Sequence, residues 1–197
     1  ISLMPSALAA SAKDFTDVPP KAWYYGAVDY VAEHGYFNGT DVGKFSPDKP
    51  MTRGMFVTVL ARVDGVEGND QANPFEDVPS GMWYSGAVAW AAERGIVLGV
   101  GDNRFAPERQ VSRQEMAAFI ARYLTYYMKE HGVTFQATGT APAFKDADKI
   151  ADYAVEAVEL CRTYGLVYGD EKGCFVPGSL ATRAEAATVI QRLALLL

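Results

Sequence analysis

One pattern of about 50 residues occurs three times along the chain, and this internal repeat limits the possible folds more than any other feature. Each copy opens with a Phe-x-Asp motif, at Phe15–Pro19, Phe75–Pro79 and, in weaker form, Phe144–Ala147. An aromatic residue, two glycines, a Phe-x-Pro sequence and a Thr/Ser-Arg pair then follow. These landmarks are Trp23, Gly35, Gly39, Phe45, Thr52 and Arg53; Trp83, Gly95, Gly99, Phe105, Ser112 and Arg113; and Tyr153, Gly165, Gly169, Phe175, Thr182 and Arg183. Their spacing, constant apart from a one-residue insertion before Tyr153, indicates three copies of one structural unit.

Each copy has the pattern of a helix, a loop and a second helix. In the first copy, Ala27, Tyr30 and Val31 have the i, i+3, i+4 spacing of one helix face. Gly35 stands where a left-handed residue ends such a helix, and Thr52 is a preferred N-cap for the next one. A two-helix unit is too small to bury these faces alone, so the three units are expected to pack together. The expected fold is all-α, with three helix–loop–helix repeats in one pseudo-three-fold body.

The repeat also sets the expected boundaries. The units span 14–66, 74–126 and 143–195. Residues 127–142 are expected to form a connector that begins as an extension of the preceding helix and ends as a polar surface loop. Residues 1–13 are expected to form a tail, left either by a cleaved export signal or by cloning.

Composition excludes several classes of function. The 197 residues are 49% hydrophobic, enough for a buried core, and carry a formal net charge of −6, which argues against nucleic acid as a partner. No apolar run approaches the ~20 residues that span a bilayer, so membrane insertion is not expected. Two cysteines, two histidines and the absence of catalytic signatures argue against metal, cofactor and most enzyme chemistry. Cys161 is expected to be buried and Cys174 exposed.

The repeated motifs resemble those of S-layer homology modules. The resemblance is carried by the F-x-D-V-P opening, the pairs Trp23-Tyr24 and Trp83-Tyr84, the G-x-x-x-G loop, the G-x-F-x-P turn and the Thr/Ser-Arg-x-Glu helix start. It covers residues 14–195, nearly the whole chain.

The resemblance implies a pseudo-trimer with grooves between adjacent modules. It also implies a secreted protein of the cell wall or S-layer that binds secondary cell wall polysaccharide, or a peptidoglycan-linked glycan, and so anchors a larger surface protein without a covalent bond. The implied ligand is a sugar that carries a pyruvate ketal, and hence a carboxylate. No cofactor is implied, and the chain is expected to be monomeric.

The Thr/Ser-Arg-x-Glu segment also has a purely structural explanation. A Ser or Thr followed three residues later by Glu forms a capping box, in which each side chain accepts a hydrogen bond from the other residue's amide. The residues concerned are Thr52, Ser112, Glu115, Thr182 and Glu185. Met55 replaces the glutamate in the first copy, so only half of the box is expected there.

Arg53, Arg113 and Arg183 directly follow the N-cap, where the positive end of the helix dipole disfavours a cation. Their recurrence suggests a compensating partner. A guanidinium beside free helix amides suits a bound carboxylate. The alternative is an internal acid, for which the candidates are Asp17, Asp77 and Asp146.

Aromatic residues that open helix one are candidates for stacking on sugar rings. These residues are Trp23, Trp83, Tyr153, Tyr24 and Tyr84. The alternative, which spacing alone favours, is that Trp23, Trp83 and Tyr153 anchor helix one in the core. One ring of each Trp-Tyr pair can be buried while the other lines a groove.

Two further sets of repeated residues are interpreted as mainly structural. Glycines in the loop either supply a positive φ or let the backbone approach a ligand closely; they are Gly39, Gly99 and Gly169. Arginines near the end of helix two stand where a cation is favourable; they are Arg62, Arg122 and Arg192.

Two functions of other classes stay open. A helical scaffold also suits a protein-interaction module whose grooves bind a peptide or a sister subunit. Hydrolysis of wall glycan by paired carboxylates is disfavoured, because catalytic centres are rarely triplicated. If binding follows the completeness of the motif within each copy, the second and third copies should dominate, since the first carries Met55.

Overall fold

The computed structural model describes residues 10–66, 73–138 and 142–197, and within these ranges it contains six α-helices and no β-strand. The helices are α1 (Tyr25–Glu33), α2 (Arg53–Val63), α3 (Ser85–Glu93), α4 (Arg113–His131), α5 (Val155–Thr163) and α6 (Arg183–Leu196). Each repeat contributes two successive helices, and we call the repeats modules one to three. The all-α class and the helix–loop–helix repeat are confirmed.

The second helix of every module begins at the expected N-cap. The three N-cap residues are Thr52, Ser112 and Thr182. Their hydroxyl groups accept hydrogen bonds from the amides three residues later, at 3.2, 3.3 and 3.2 Å. Glu115 and Glu185 accept in return from the N-cap amides, at 3.0 and 2.9 Å. In module one this place is taken by the Met55 sulfur, a weak acceptor 3.5 Å from the Thr52 amide nitrogen, so the cap of α2 is the weakest.

The helices pack in a closed cycle. Helix one of each module lies against helix two of the preceding module, so that α3 packs on α2, α5 on α4, and α1 on α6. Apolar side chains of all six helices meet in one continuous core, which includes Val31, Phe56, Val88, Ile120, Val158 and Ile190. This cyclic order fits the expected pseudo-three-fold body.

Three backbone hydrogen bonds close the cycle at its centre. The Met51 amide donates to the Ala181 carbonyl, the Ala181 amide to Val111, and the Val111 amide to Met51, each at 2.9 Å. All three residues are buried. We call this set the central ring. Because buried backbone groups need partners, each module depends on the other two to satisfy its own backbone.

The aspartate of each Phe-x-Asp motif fixes the Phe-x-Pro turn of its own module. Asp17 accepts from the amides of Phe45 and Ser46 at 2.9 and 2.8 Å. Asp77 and Asp146 make the same pair of bonds at 2.7 and 2.8 Å. The middle residue of each turn has a left-handed backbone, with φ of 56°, 57° and 55° at Ser46, Ala106 and Val176. The carboxylates therefore hold a strained turn. The acids that form ion pairs with Arg53 and Arg113 are glutamates rather than these aspartates, although the charge of Asp17 acts on Arg183.

The structure describes part of the expected N-terminal tail and most of the expected connector. Of the expected tail, residues 1–9 lie outside the described ranges, but Ala12 is buried and its amide donates to Asp29 at 2.8 Å. The connector does begin as an extension of α4, which continues to His131. Within the described ranges, no helix combines the length and apolar character needed to cross a membrane.

Because an aspartate carboxylate holds each Phe-x-Pro turn, we expect the protein to lose stability in acid. Burial raises the pKa of these carboxyl groups, but the two amide bonds outweigh it, and the pKa of Asp17, Asp77 and Asp146 is lower than the usual value. A carboxylate with a lowered folded-state pKa stabilises the fold above the unfolded pKa, near 4, and this contribution is lost as the pH falls further. We expect Asp77→Asn to lower the free energy of unfolding by about 1–3 kcal/mol at pH 7 and by less at pH 3.

Urea unfolding at the two pH values measures both quantities. The exposed Asp148 provides the control, because Asp148→Asn should leave stability within about 0.5 kcal/mol at either pH. An equal loss at pH 7 and pH 3 for Asp77→Asn would show that its charge does not hold the turn.

Candidate functional site

Three surface grooves each contain one arginine from the start of a second helix, and we name them after it. The Arg113, Arg183 and Arg53 grooves have volumes of about 560, 300 and 370 Å³. These volumes are in the range of small-ligand sites. The Arg53 groove continues past Arg122 and Tyr153 into a second cavity of about 720 Å³ between α4 and α5.

Every groove is built by all three modules. One module supplies the arginine, the next supplies the loop glycine and a second arginine, and the third supplies an exposed aromatic ring. The sets are Arg113, Gly169, Arg192 and Trp23; Arg183, Gly39, Arg62 and Trp83; and Arg53, Gly99, Arg122 and Tyr153. The aromatic residue and the arginine of one module therefore never share a groove, so ranking the sites by the motif within one copy was wrong in its premise.

The first arginine of each groove fastens its module to the next. Nε of Arg53, Arg113 and Arg183 donates to the carbonyl of the phenylalanine in the next Phe-x-Pro turn, at 2.8, 2.8 and 2.7 Å. Nη2 donates to a second loop carbonyl at 3.1, 3.3 and 2.7 Å. Each guanidinium also lies over that phenylalanine ring, 4.6–5.0 Å from its centroid. These contacts give all three arginines a structural role.

The remaining nitrogen, Nη1, distinguishes the three arginines. In Arg53 it lies 3.4 Å from a carboxylate oxygen of Glu115, and in Arg113 it donates to Glu185 at 2.5 Å. The residue that corresponds to these glutamates beside Arg183 is Met55. Two of the three arginines thus pair with an internal acid, but that acid is the capping-box glutamate of the next module.

The helix amides beside these arginines are already occupied. The amides of Arg53 and Gly54 donate to the carbonyls of Arg109 and Pro107 at 2.9 and 2.8 Å, and α4 and α6 repeat the arrangement. The third amide donates to the N-cap hydroxyl. The prediction of free helix amides that bind an anion was therefore wrong.

Burial changes the acidity of two of these arginines. It lowers the pKa of Arg53 and of Arg183 to about 10, because the charged form loses hydration. For Arg53 the charge of Glu115 acts in the opposite direction. Both groups remain protonated at neutral pH, so the Arg53 and Arg183 grooves each contain a fixed positive charge.

The structure separates the members of the Trp-Tyr pairs. Trp23, Trp83 and Tyr153 are 68%, 57% and 56% exposed, so they do not anchor helix one in the core as spacing alone suggested. Tyr84 is only 3% exposed, and Tyr24 is half-buried against the core. A ligand-binding role for Tyr84 conflicts with this burial, because its ring cannot reach a groove without opening the core. The outer ring of each pair is the one that lines a groove.

The loop glycines are required by packing within their own loops. A Cβ on Gly39 or Gly99 would lie 2.8 Å from the carbonyl oxygen of Lys44 or Arg104. On Gly169 it would lie 3.1 Å from Gly173. None of the three has a positive φ, whereas Gly35, Gly95 and Gly165 do, as expected for residues that end helix one.

The second arginine of each groove has a place in the groove lining, which the sequence interpretation did not include. Arg62 and Arg192 donate to the carbonyls of Tyr36 and Leu166 at 2.9 and 3.1 Å, and the same residues line the grooves. A signal was available in the sequence, since this arginine follows the capping-box position by seven residues. That spacing places both side chains on one face of the helix, toward the groove. Cys174 also lines the Arg113 groove, whereas Cys161 is buried as expected, and both cysteines are free.

Comparison with known proteins agrees with this architecture. The family model for the S-layer homology domain matches residues 14–54, 74–117 and 143–187. The chain is 31% identical to an amylopullulanase of Thermoanaerobacterium thermosulfurigenes, over 90% of this chain and 9% of that protein. It is 28% identical to an S-layer protein of Bacillus thuringiensis subsp. finitimus, over 95% and 22%, and 28% identical to an exoglucanase of Acetivibrio thermocellus, over 94% and 17%.

The chain thus spans less than a quarter of the length of these relatives. The family and its relatives indicate a secreted, cell-wall-associated protein. The three matched segments cover more than half of the chain, and each contains the first helix of one module and the start of its second helix. The chain therefore belongs to the S-layer homology domain family and carries three tandem copies of that domain.

Proposed function

We propose that the three grooves bind secondary cell wall polysaccharide and so anchor a larger surface protein to the bacterial wall without a covalent bond. The observation that carries this proposal is the exposed aromatic ring in each groove, above two arginines from other modules. An aromatic face packs on the apolar face of a sugar ring, and a guanidinium binds carboxylate or hydroxyl oxygens.

The relatives support an anchoring role for this region. An S-layer protein, an amylopullulanase and an exoglucanase differ in activity but share a region similar to this chain. A shared region in proteins of different activity is expected of an attachment module rather than of a catalytic centre. We further propose that the saccharide bears a carboxylate, such as a pyruvate ketal, because arginines line every groove.

The exposed aromatic rings offer a direct test. We expect the triple variant Trp23→Ala, Trp83→Ala, Tyr153→Ala to lose retention on protein-free wall polysaccharide from the source bacterium by at least about tenfold, since each ring contributes about 0.5–1.5 kcal/mol of packing. Its thermal midpoint should change little, because all three rings are more than half exposed. Co-sedimentation with the purified polysaccharide measures retention.

The control is Leu195→Ala, which removes a similarly exposed apolar side chain from α6 that lines none of the three grooves. Undiminished retention of the triple variant would contradict the proposal. Retention only on proteinaceous wall fractions would favour the alternative, a groove that binds a peptide or a sister subunit.

Substitution of the groove arginines should lower stability as well as binding, because these side chains also fasten the modules together. Arg53→Ala removes the side-chain donor to the carbonyls of Phe105 and Leu98 and one of the partners of the Glu115 carboxylate. We expect a loss of about 2–4 kcal/mol in the free energy of unfolding. Arg109→Ala removes a half-exposed partner of the same glutamate and should cost less than about 1 kcal/mol. Urea unfolding compares the two, and equal costs would show that Arg53 does not fasten the modules.

A further inference from the structure

The three grooves share one construction but differ in charge. The Arg183 groove is lined by Arg183, Arg62 and Lys49, with no acidic residue among its described lining. The Arg53 groove has three arginines and one acid, Glu115. The Arg113 groove has two arginines, Arg113 and Arg192, against three acids, Asp170, Glu171 and Glu185. The net charge of the lining side chains is therefore most positive in the Arg183 groove, lower in the Arg53 groove and negative in the Arg113 groove.

The guanidinium of Arg183 also retains an unused donor. Nε and Nη2 are held by the carbonyls of Phe45 and Asn38, but Nη1 has no hydrogen-bond partner in the described part of the chain. Asp17, whose charge acts on Arg183, has both oxygens engaged by loop amides. In the same ranges, the only buried side-chain nitrogen or oxygen without a partner is that of the Trp90 indole. Nη1 of Arg183 therefore keeps some contact with solvent, and Arg183 lines the groove although it is 5% exposed overall.

The other two grooves show what this donor binds. At the equivalent position, Nη1 of Arg53 and of Arg113 faces the carboxylate of Glu115 and of Glu185. Met55 leaves that position without a carboxylate in the Arg183 groove. The guanidinium there is rigid, since two carbonyls hold it and it lies 4.6 Å over the Phe45 ring. A preorganised cation with one open donor favours an anion without further ordering.

We propose that the Arg183 groove is the site that selects an acidic saccharide, and that Met55 determines this selectivity by withholding the internal carboxylate found in the other two grooves. The carboxylate of the sugar then lies where a glutamate lies beside Arg53 and Arg113, under the exposed ring of Trp83. The Arg113 groove, with its three acids, repels the same group. This inference rests on the proposed binding of wall polysaccharide.

Calorimetric titration at low salt tests the proposal. The probes are a methyl hexopyranoside with a 4,6-linked pyruvate ketal and the neutral methyl ester of the same compound. We expect the wild type to bind the acid about tenfold or more tightly than the ester, the size expected for one charge-assisted hydrogen bond. Met55→Glu should weaken binding of the acid by a similar factor and leave binding of the ester unchanged. Met55→Leu, which adds no charge, should bind both probes as the wild type does.

The thermal midpoint of Met55→Glu distinguishes loss of the anion site from misfolding. Met55→Glu supplies the residue that completes the capping box in modules two and three, so the thermal midpoint should rise while binding of the acid falls. Loss of binding together with a lower midpoint would overturn the proposal, as would equal binding of acid and ester or unchanged binding by Met55→Glu.

Retention on wall polysaccharide separates this inference from the proposed function. If the wild type is retained on the polysaccharide but any of those overturning results is found, the selectivity proposal for the Arg183 groove fails and the anchoring proposal stands. If the wild type binds the ketal acid in the predicted manner but is not retained on the polysaccharide, the anchoring proposal fails and the anion site in the Arg183 groove stands.

Discussion

The central ring of three backbone hydrogen bonds is the constraint on which the rest of the structure depends. It brings the starts of all three second helices together, so each helix finds the carbonyl partners for its first two amides in a loop of the next module. The same approach places each arginine against the next Phe-x-Pro turn. Since every seam between modules is made in this way, the grooves follow from the cycle rather than from any single repeat.

The locally determined features were predictable from the sequence. The N-caps at Thr52, Ser112 and Thr182, and the left-handed residues that end helix one, depend on positions only a few residues apart. The repeat made each of these predictions three times over. The incomplete cap of α2 was also visible, because Met55 stands where the other copies have glutamate.

The cyclic order of the modules could not be read from the sequence, and the errors follow from that. Whether Trp83 meets Arg113 or Arg183 depends on which module packs on which, and spacing along the chain carries no such information. Likewise, Tyr84 and Trp83 are adjacent aromatic residues, and only the packing of Tyr84 against Gly54 of another module decides which one is buried. The presence of Arg62, Arg122 and Arg192 in the groove linings likewise depends on which module packs on which.

The seam between modules three and one differs from the other two in its distance along the chain. The bond from Arg183 to Asn38 joins residues 145 positions apart, whereas the equivalent bonds at the other seams join residues 45 and 55 positions apart. Closing a longer loop costs more entropy, so this seam has the largest closure cost of the three when each is formed from the open chain. A nascent or truncated polypeptide that ends after module two has Trp83 but no pocket for it to cover. Because each groove takes residues from all three modules, none of the three grooves is complete until module three is in place.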